Sequence, residues 1–226
     1  MNNMEYINLI SQLYEFETPE IADALDACGV ESALLGIKPM VQGIKIAGPA
    51  FTVQYSSYLH KPNEFQNAGN YIDDVPAKSI IVIDNQGRED CTVWGNILTQ
   101  FAMMKNITGT IINGAARDIL SIRQTSYPLY AKGIYMRSGK NRVYKSDQQC
   151  ALVINNIWIH PGDFIFADDN GVLVIPQELL SNVIEKANNI KTTEERILKS
   201  IKSGATLKSA REKFQYHKPW LGNENG

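Results

Sequence analysis

Apolar positions along this chain change period several times, and each change marks a new element. Tyr6, Leu9, Ile10 and Leu13 fall at helical spacing and predict a helix over residues 3–14. Thr18-Pro19 follows, a hydroxyl cap with Pro at the first helical position. It predicts a second helix carried by Ile21, Ala22 and Leu25 to a stop at Gly29. From Gly36 the period shortens. Residues 45–55 alternate around a Gly48-Pro49 break, and SIIVID at Ser79–Asp84 is a continuous apolar run of the kind found in buried strands. Trp94 to Lys105 returns to helical spacing through Ile97, Leu98, Phe101, Ala102 and Met104, and the β-branched run Thr110–Ile112 then reads as a strand. Strand, helix and strand in that order predict a βαβ unit.

The second of these strands is expected to end in a small-residue turn, Asn113-Gly114-Ala115-Ala116, that delivers Arg117 and Asp118 side by side. Ile119–Gln124 suits a short helix. Residues 128–176 read as a second β-rich region broken by Gly turns, and residues 177–214 as amphipathic helices interrupted at Gly204. With no internal repeat or linker, a single domain over residues 1–226 is expected, its core at about 18–176 and its C-terminal helices at about 177–214.

Composition narrows the function classes. The 226 residues are 44% hydrophobic and 20% charged, ordinary for a globular chain. A formal net charge of −2 gives no electrostatic case for nucleic acid or an anionic membrane as partner. No apolar run approaches membrane-spanning length, and MNNMEYINLI has neither a basic n-region nor a long apolar core. Cys28, Cys91 and Cys150 are too scattered for a disulfide framework or a zinc site. A cytoplasmic location without a leader is therefore expected.

The chemistry concentrates in two stretches. In the first, Gly95 opens a helix, so the N–H groups of Asn96, Ile97 and Leu98 are expected to point outward without intrahelical acceptors, a cradle for a carboxylate. In the second, Arg117 can clamp an anion and Asp118 can hold a hard metal ion. Together they suit a small oxo-acid. A metal held by one protein carboxylate and several waters points to magnesium rather than zinc. Read alone, Gly95 is equally well a tight turn whose amides meet water.

Six segments in one order resemble the RraA-like family, which includes 4-hydroxy-4-methyl-2-oxoglutarate/4-carboxy-4-hydroxy-2-oxoadipate aldolases and the regulator of ribonuclease activity A. They are TPEIADALDACGV at Thr18–Val30, GIKIAGPAFTV at Gly43–Val53, REDCTVWG at Arg88–Gly95, GTIINGAARD at Gly109–Asp118, YPLYAKGIYMRSGKNRV at Tyr127–Val143, and PGDFIFADDNGVLVIP at Pro161–Pro176. The similarity runs from about Thr18 to His217. The resemblance implies an α/β fold, a three-layer β/β/α sandwich of the swivelling-domain type with helical extensions, assembled as homotrimers or homohexamers. It further implies that Gly95, Asn96, Ile97 and Leu98 bind the substrate carboxylate, that Arg117 contacts the pyruvyl group, and that Asp118 ligates Mg2+ or Mn2+. The activity implied is a metal-dependent lyase of the aldolase or oxaloacetate decarboxylase type.

One position departs from the aldolase pattern. Where the aldolases carry an acidic residue just after the loop glycine, this chain has Asn96. An amide can hydrogen-bond a water but cannot take its proton, so general acid–base work there should be lost. Turnover would then be impaired or redirected, and a non-catalytic regulator or a specialised pathway enzyme are the alternatives. The aldolases also use a glutamate from a neighbouring subunit's C-terminal region, for which Glu194, Glu195 and Glu212 are candidates.

Other motifs read as structure. His60, His160 and His217 lack metal-ligand spacing, and Asp168-Asp169-Asn170-Gly171 lacks the remaining ligands of a calcium loop and reads as a hairpin turn. Arg137-Ser138-Gly139-Lys140 lacks the context of a phosphate loop and reads as a solvated loop, with anion binding at a subunit boundary as the alternative. Cys91 reads as a small packing residue.

Overall fold

The computed structural model describes residues 3–58 and 69–221. The chain divides into two compact units, Met1–Ser32 with Glu178–Gly226, and Ala33–Gln177. To the first belong α1 (Asn3–Leu13) and α2 (Thr18–Asp26). The second begins with β1 (Lys38–Pro39), β2 (Ile46–Ser57), a 3-10 turn (Asn70–Asp74), β3 (Ile80–Trp94), α3 (Asn96–Met104) and β4 (Gly109–Ala116). It continues through α4 (Ile119–Thr125), β5 (Leu129–Ile134), β6 (Val143–Gln148), β7 (Leu152–Ile154), β8 (Ile157–Ile159), β9 (Phe164–Asp168) and β10 (Gly171–Ile175). The chain then returns to the first unit with α5 (Leu180–Lys202) and α6 (Leu207–Lys213). No helix among the described residues is long and apolar enough to cross a membrane.

In the helical unit, α5 buries Leu180, Val183, Ile184, Ala187, Ile190 and Ile197 along one stripe and packs against α2 and α1. The start of α2 differs from the sequence expectation. Glu17, not Thr18, is the cap residue, and its N–H donates to Glu20 Oε2 at 2.7 Å. A carboxylate three residues on satisfies the N–H of the cap residue, and Thr18 is buried in the first turn.

The other unit is the three-layer sandwich. Its sheet runs β1-β5-β4-β3-β2-β9-β10, with β6 also pairing with β2. Strands β2, β3, β4 and β5 are parallel to one another, and the residues along them alternate between two cores. Ile81, Ile83 and Ile112 join Ala102 of α3 and Ile122 of α4 on one face. Ile80, Val82 and Ile111 join Leu152 and Ile154 of β7, Ile157 and Ile159 of β8, and Ile165 of β9 on the other. The helices thus form one outer layer and the β7–β8 hairpin with β9 and β10 the other, as expected for the swivelling-domain class.

Strand β2 belongs to both β layers. Ile46–Pro49 pairs antiparallel with β9, and Ala50–Gln54 pairs parallel with β3. The changeover falls on the Gly48-Pro49 break seen in the sequence. Two other expectations shift. The Asn113–Ala116 stretch is not a turn but the second half of β4, because β3 extends far beyond Asp84 and continues to pair with it up to Trp94 opposite Ala116. Residues 85–93 of β3 stand opposite residues 114–115 of β4, so the extra length bulges out and turns on Gln86 and Gly87, both at positive φ. The Asp169-Asn170 hairpin between β9 and β10 is as read from the sequence.

A Cβ at Gly48 would lie 2.8 Å from the Lys78 carbonyl oxygen, which is backbone and cannot swing aside. Gly48→Ala should therefore cost about 1–3 kcal/mol of stability. It should appear as a lower urea midpoint at unchanged slope; an unchanged midpoint would show that the crossing tolerates a side chain.

Candidate active site

The site is assembled where β3 and β4 stop. Trp94 is the last residue of β3 and pairs with Ala116, the last of β4, and the Arg117 N–H donates to the Trp94 carbonyl at 3.1 Å. The two segments leaving the sheet therefore start side by side, one through Gly95 into α3 and the other through Arg117 and Asp118 into α4. This is the carboxyl edge of parallel strands, where open α/β sheets place their ligands. Trp94 anchors the corner. Its ring is buried and stacks on Tyr127 at 6.1 Å and 11°, and its Nε1–H donates to Thr99 Oγ1 at 2.9 Å.

Asp118 has left-handed backbone angles (φ 58°, ψ 31°). Asp tolerates this region better than most residues because its short side chain bonds locally. The carboxylate does not cap α4, the helix it precedes. Its Oδ2 instead accepts the Asn96 N–H of α3 at 2.9 Å, and it stands 3.7 Å from Arg117 Nε. Closeness on this scale explains Gly95, where a Cβ would lie 2.6 Å from Asp118 Oδ2 and 3.2 Å from Arg117 Nε.

The expectation of three outward amides is corrected to two. Asn96 N–H is taken by Asp118, while those of Ile97 and Leu98 have no acceptor among the described residues. The Asn96 side chain is only loosely engaged, accepting from Gln100 Nε2 at 3.4 Å. Asp118 Oδ1 likewise has no partner among the described residues.

These groups face one cavity of about 730 Å³, and Gly95, Asn96, Ile97, Leu98, Arg117 and Asp118 all line it. Sequence reasoning missed several other wall residues. Phe101 and Met104 follow Ile97 at helical spacing, so the face of α3 that they share was legible in principle. Tyr55 of β2 and Asp73 of the 3-10 turn carry no local signal and reach the cavity only through tertiary folding. The loop holding Ser138, Gly139 and Lys140 forms part of the wall and is tied to β3 by the Gly139 N–H to Thr92 carbonyl bond at 2.9 Å.

The donor set bears on what metal could sit here. Among the described residues no group of three or more His, Cys, Asp or Glu is placed to hold an ion. Asp118 lines the cavity, and its Oδ1 is the one carboxylate oxygen at this corner without a partner among the described residues. That fits a hard ion that keeps most of its waters and does not fit zinc.

Residues 18–174 match the family described as "RraA-like: Aldolase/RraA". The chain belongs to the RraA-like family. Protein DlpA of Legionella pneumophila is 58% identical over 215 residues, which are 95% of this chain but 35% of DlpA, so the chain spans about a third of that relative's length. A protein of Halalkalibacterium halodurans named "Putative 4-hydroxy-4-methyl-2-oxoglutarate aldolase" is 30% identical, over 84% of this chain and 86% of its own. The crystal structure of an uncharacterized protein from Pseudomonas syringae pv. tomato superposes with a TM-score of 0.83 at 42% identity, covering 90% of this chain and 96% of that one.

Of the other sequence candidates in this unit, His160 and Cys91 do not line the cavity. His60 lies outside the described residues. His160 stacks on Trp158 and sits in a turn closed by its own N–H to Asp163 Oδ2 at 2.7 Å. Cys91 is buried in the core, and burial pushes its thiol pKa up, which suits a packing residue rather than a nucleophile. Glu195 and Glu212 are exposed in the helical unit, while Glu194 is half-buried there, its carboxyl pKa raised by burial and by Glu20 and Asp23.

Gly95→Ala should push the Asp118 carboxylate off the Asn96 amide. Losing that cap should cost about 0.5–2 kcal/mol, read from thermal or urea unfolding. A stability equal to the wild type would mean the corner relaxes around the methyl group.

Proposed function

We propose that this chain is a divalent-metal-dependent lyase acting on a pyruvyl-type 2-oxoacid. The observation that carries this reading is that Ile97, Leu98, Arg117 and Asp118 line one cavity, with the Asp118 carboxylate bonded to the first amide of α3. In it, the Ile97 and Leu98 N–H groups at the positive end of α3 receive the substrate carboxylate. The Arg117 guanidinium, whose terminal nitrogens have no acceptor among the described residues, contacts the pyruvyl group. Asp118 Oδ1 would hold Mg2+ or Mn2+, and such an ion supplies positive charge beside the ketone oxygen. Cleavage of the C3–C4 bond releases CO2 from oxaloacetate, or a carbonyl compound from a 4-hydroxy-2-oxoacid whose hydroxyl proton passes to water. The electron pair stays on the pyruvyl fragment as an enolate that water then protonates, and Arg117 meets that growing charge from a position fixed beforehand.

Asn96 sets the limit on this chemistry. It can donate to or accept from a water in the cavity but cannot remove a hydroxyl proton, so a retro-aldol step has no base at this position. A second reading, a non-catalytic regulator or binding protein, is favoured by that same residue. A specialised pathway enzyme using the site for other chemistry is the third, and assembly as a trimer or hexamer, cytoplasmic location and a single functional domain belong to the same proposal.

Pyruvate release from oxaloacetate and from a panel of 4-hydroxy-2-oxoacids, with and without Mg2+, tests the reading. Metal-dependent turnover is expected, and Asp118→Ala should abolish its metal dependence. Asn96→Asp should raise retro-aldol turnover by about 10²-fold or more. No turnover on any substrate, together with no Mg2+-dependent oxalate binding in calorimetry, would leave the regulator reading in its place.

A further inference from the structure

The peptide unit joining Gly95 to Asn96 is held from both sides. Its carbonyl accepts from Thr99 twice, from the backbone N–H at 3.1 Å and from Oγ1 at 3.2 Å. Its N–H donates to Asp118 Oδ2 at 2.9 Å. A peptide is planar, so a bond that fixes the carbonyl direction also fixes the N–H direction.

The orientation of the Thr99 hydroxyl follows from elimination. An indole N–H can only donate, so Oγ1 must accept from Trp94 Nε1, and its single proton is left for the Gly95 carbonyl. Thr99 is fully buried, and neither helix propensity nor solubility accounts for a threonine there. Hydroxyl bonding to the carbonyl also polarises the peptide and strengthens its N–H as a donor.

We infer that Thr99 is a positioning residue: oriented by Trp94, its hydroxyl aligns the Gly95–Asn96 peptide and thereby sets where the Asp118 carboxylate stands. The inference rests on reading Asp118 as the carboxylate that holds the ion. Thr99 touches neither substrate nor ion; it acts through one peptide bond.

Three variants test it. Thr99→Val keeps the shape and removes the hydroxyl, Thr99→Ser keeps the hydroxyl, and Trp94→Phe/Thr99→Val removes the indole donor that valine alone would strand. Two readouts avoid enzyme activity: hydrogen exchange at the Asn96 amide in the ligand-free protein, and Mn2+ binding followed by electron paramagnetic resonance. Both valine variants should exchange the Asn96 amide about tenfold faster and bind Mn2+ about threefold to tenfold more weakly, with the serine variant within about twofold of wild type. Wild-type values in the valine variants, even with a lowered melting temperature, would overturn the positioning role, as would a serine variant as impaired as valine. If the wild-type protein binds no Mn2+, the reading of Asp118 falls while the exchange measurement still decides Thr99.

Discussion

The parallel pairing of β3 with β4 ends with Trp94 opposite Ala116, and the Arg117 N–H closes it by donating to the Trp94 carbonyl. That one register places two helix starts next to each other. A shift of one residue would turn the side chains leaving either strand to the opposite face of the sheet. Asp118 could then no longer reach the Asn96 amide, and Gly95 would lose the crowding that excludes a side chain there. The buried Trp94 ring secures the register mechanically, through its stack on Tyr127 and its bond to Thr99.

Within that corner, groups that bind and groups that move protons part company. Open amides, a guanidinium and a carboxylate oxygen are all present, and each acts by fixed charge or dipole, needing no change of protonation. Proton transfer is different, because it needs a group that titrates at the right place. Asn96 does not, although it occupies the helix position nearest to Asp118. Under the proposed lyase reading, affinity for an anionic keto acid is set by the fixed groups and is separate from the rate of turnover.

Much of this was legible in the sequence, for stated reasons. The helical period from Ile97 to Met104 and the apolar run at Ser79–Asp84 located α3 and the first half of β3, and six ordered segments matched the family whose fold the sheet displays. Where reading failed, the cause was tertiary. Asn113–Ala116 is built from small residues typical of turns, yet it forms strand because β3 supplies a pairing partner beyond Asp84. The Asn96 amide was expected to be free, since nothing local reveals that an αL residue more than twenty positions away turns its carboxylate back onto it. Tyr55 and Asp73 enter the cavity from elements with no sequence proximity to Arg117.

Strand β2 gives the sandwich a particular kind of cooperativity. Its first half is the seam to β9 and its second half the seam to β3, so no loop separates the two β layers along that line. Opening of the β9–β10 side therefore pulls on the same backbone that registers β3, and β3 carries Trp94. Partial unfolding that spares the cavity corner would have to break β2 in the middle, beside a glycine where an added Cβ would lie 2.8 Å from the Lys78 carbonyl oxygen. The outer hairpin layer and the Trp94 corner are thus expected to exchange with solvent as one foldon, protected or lost together.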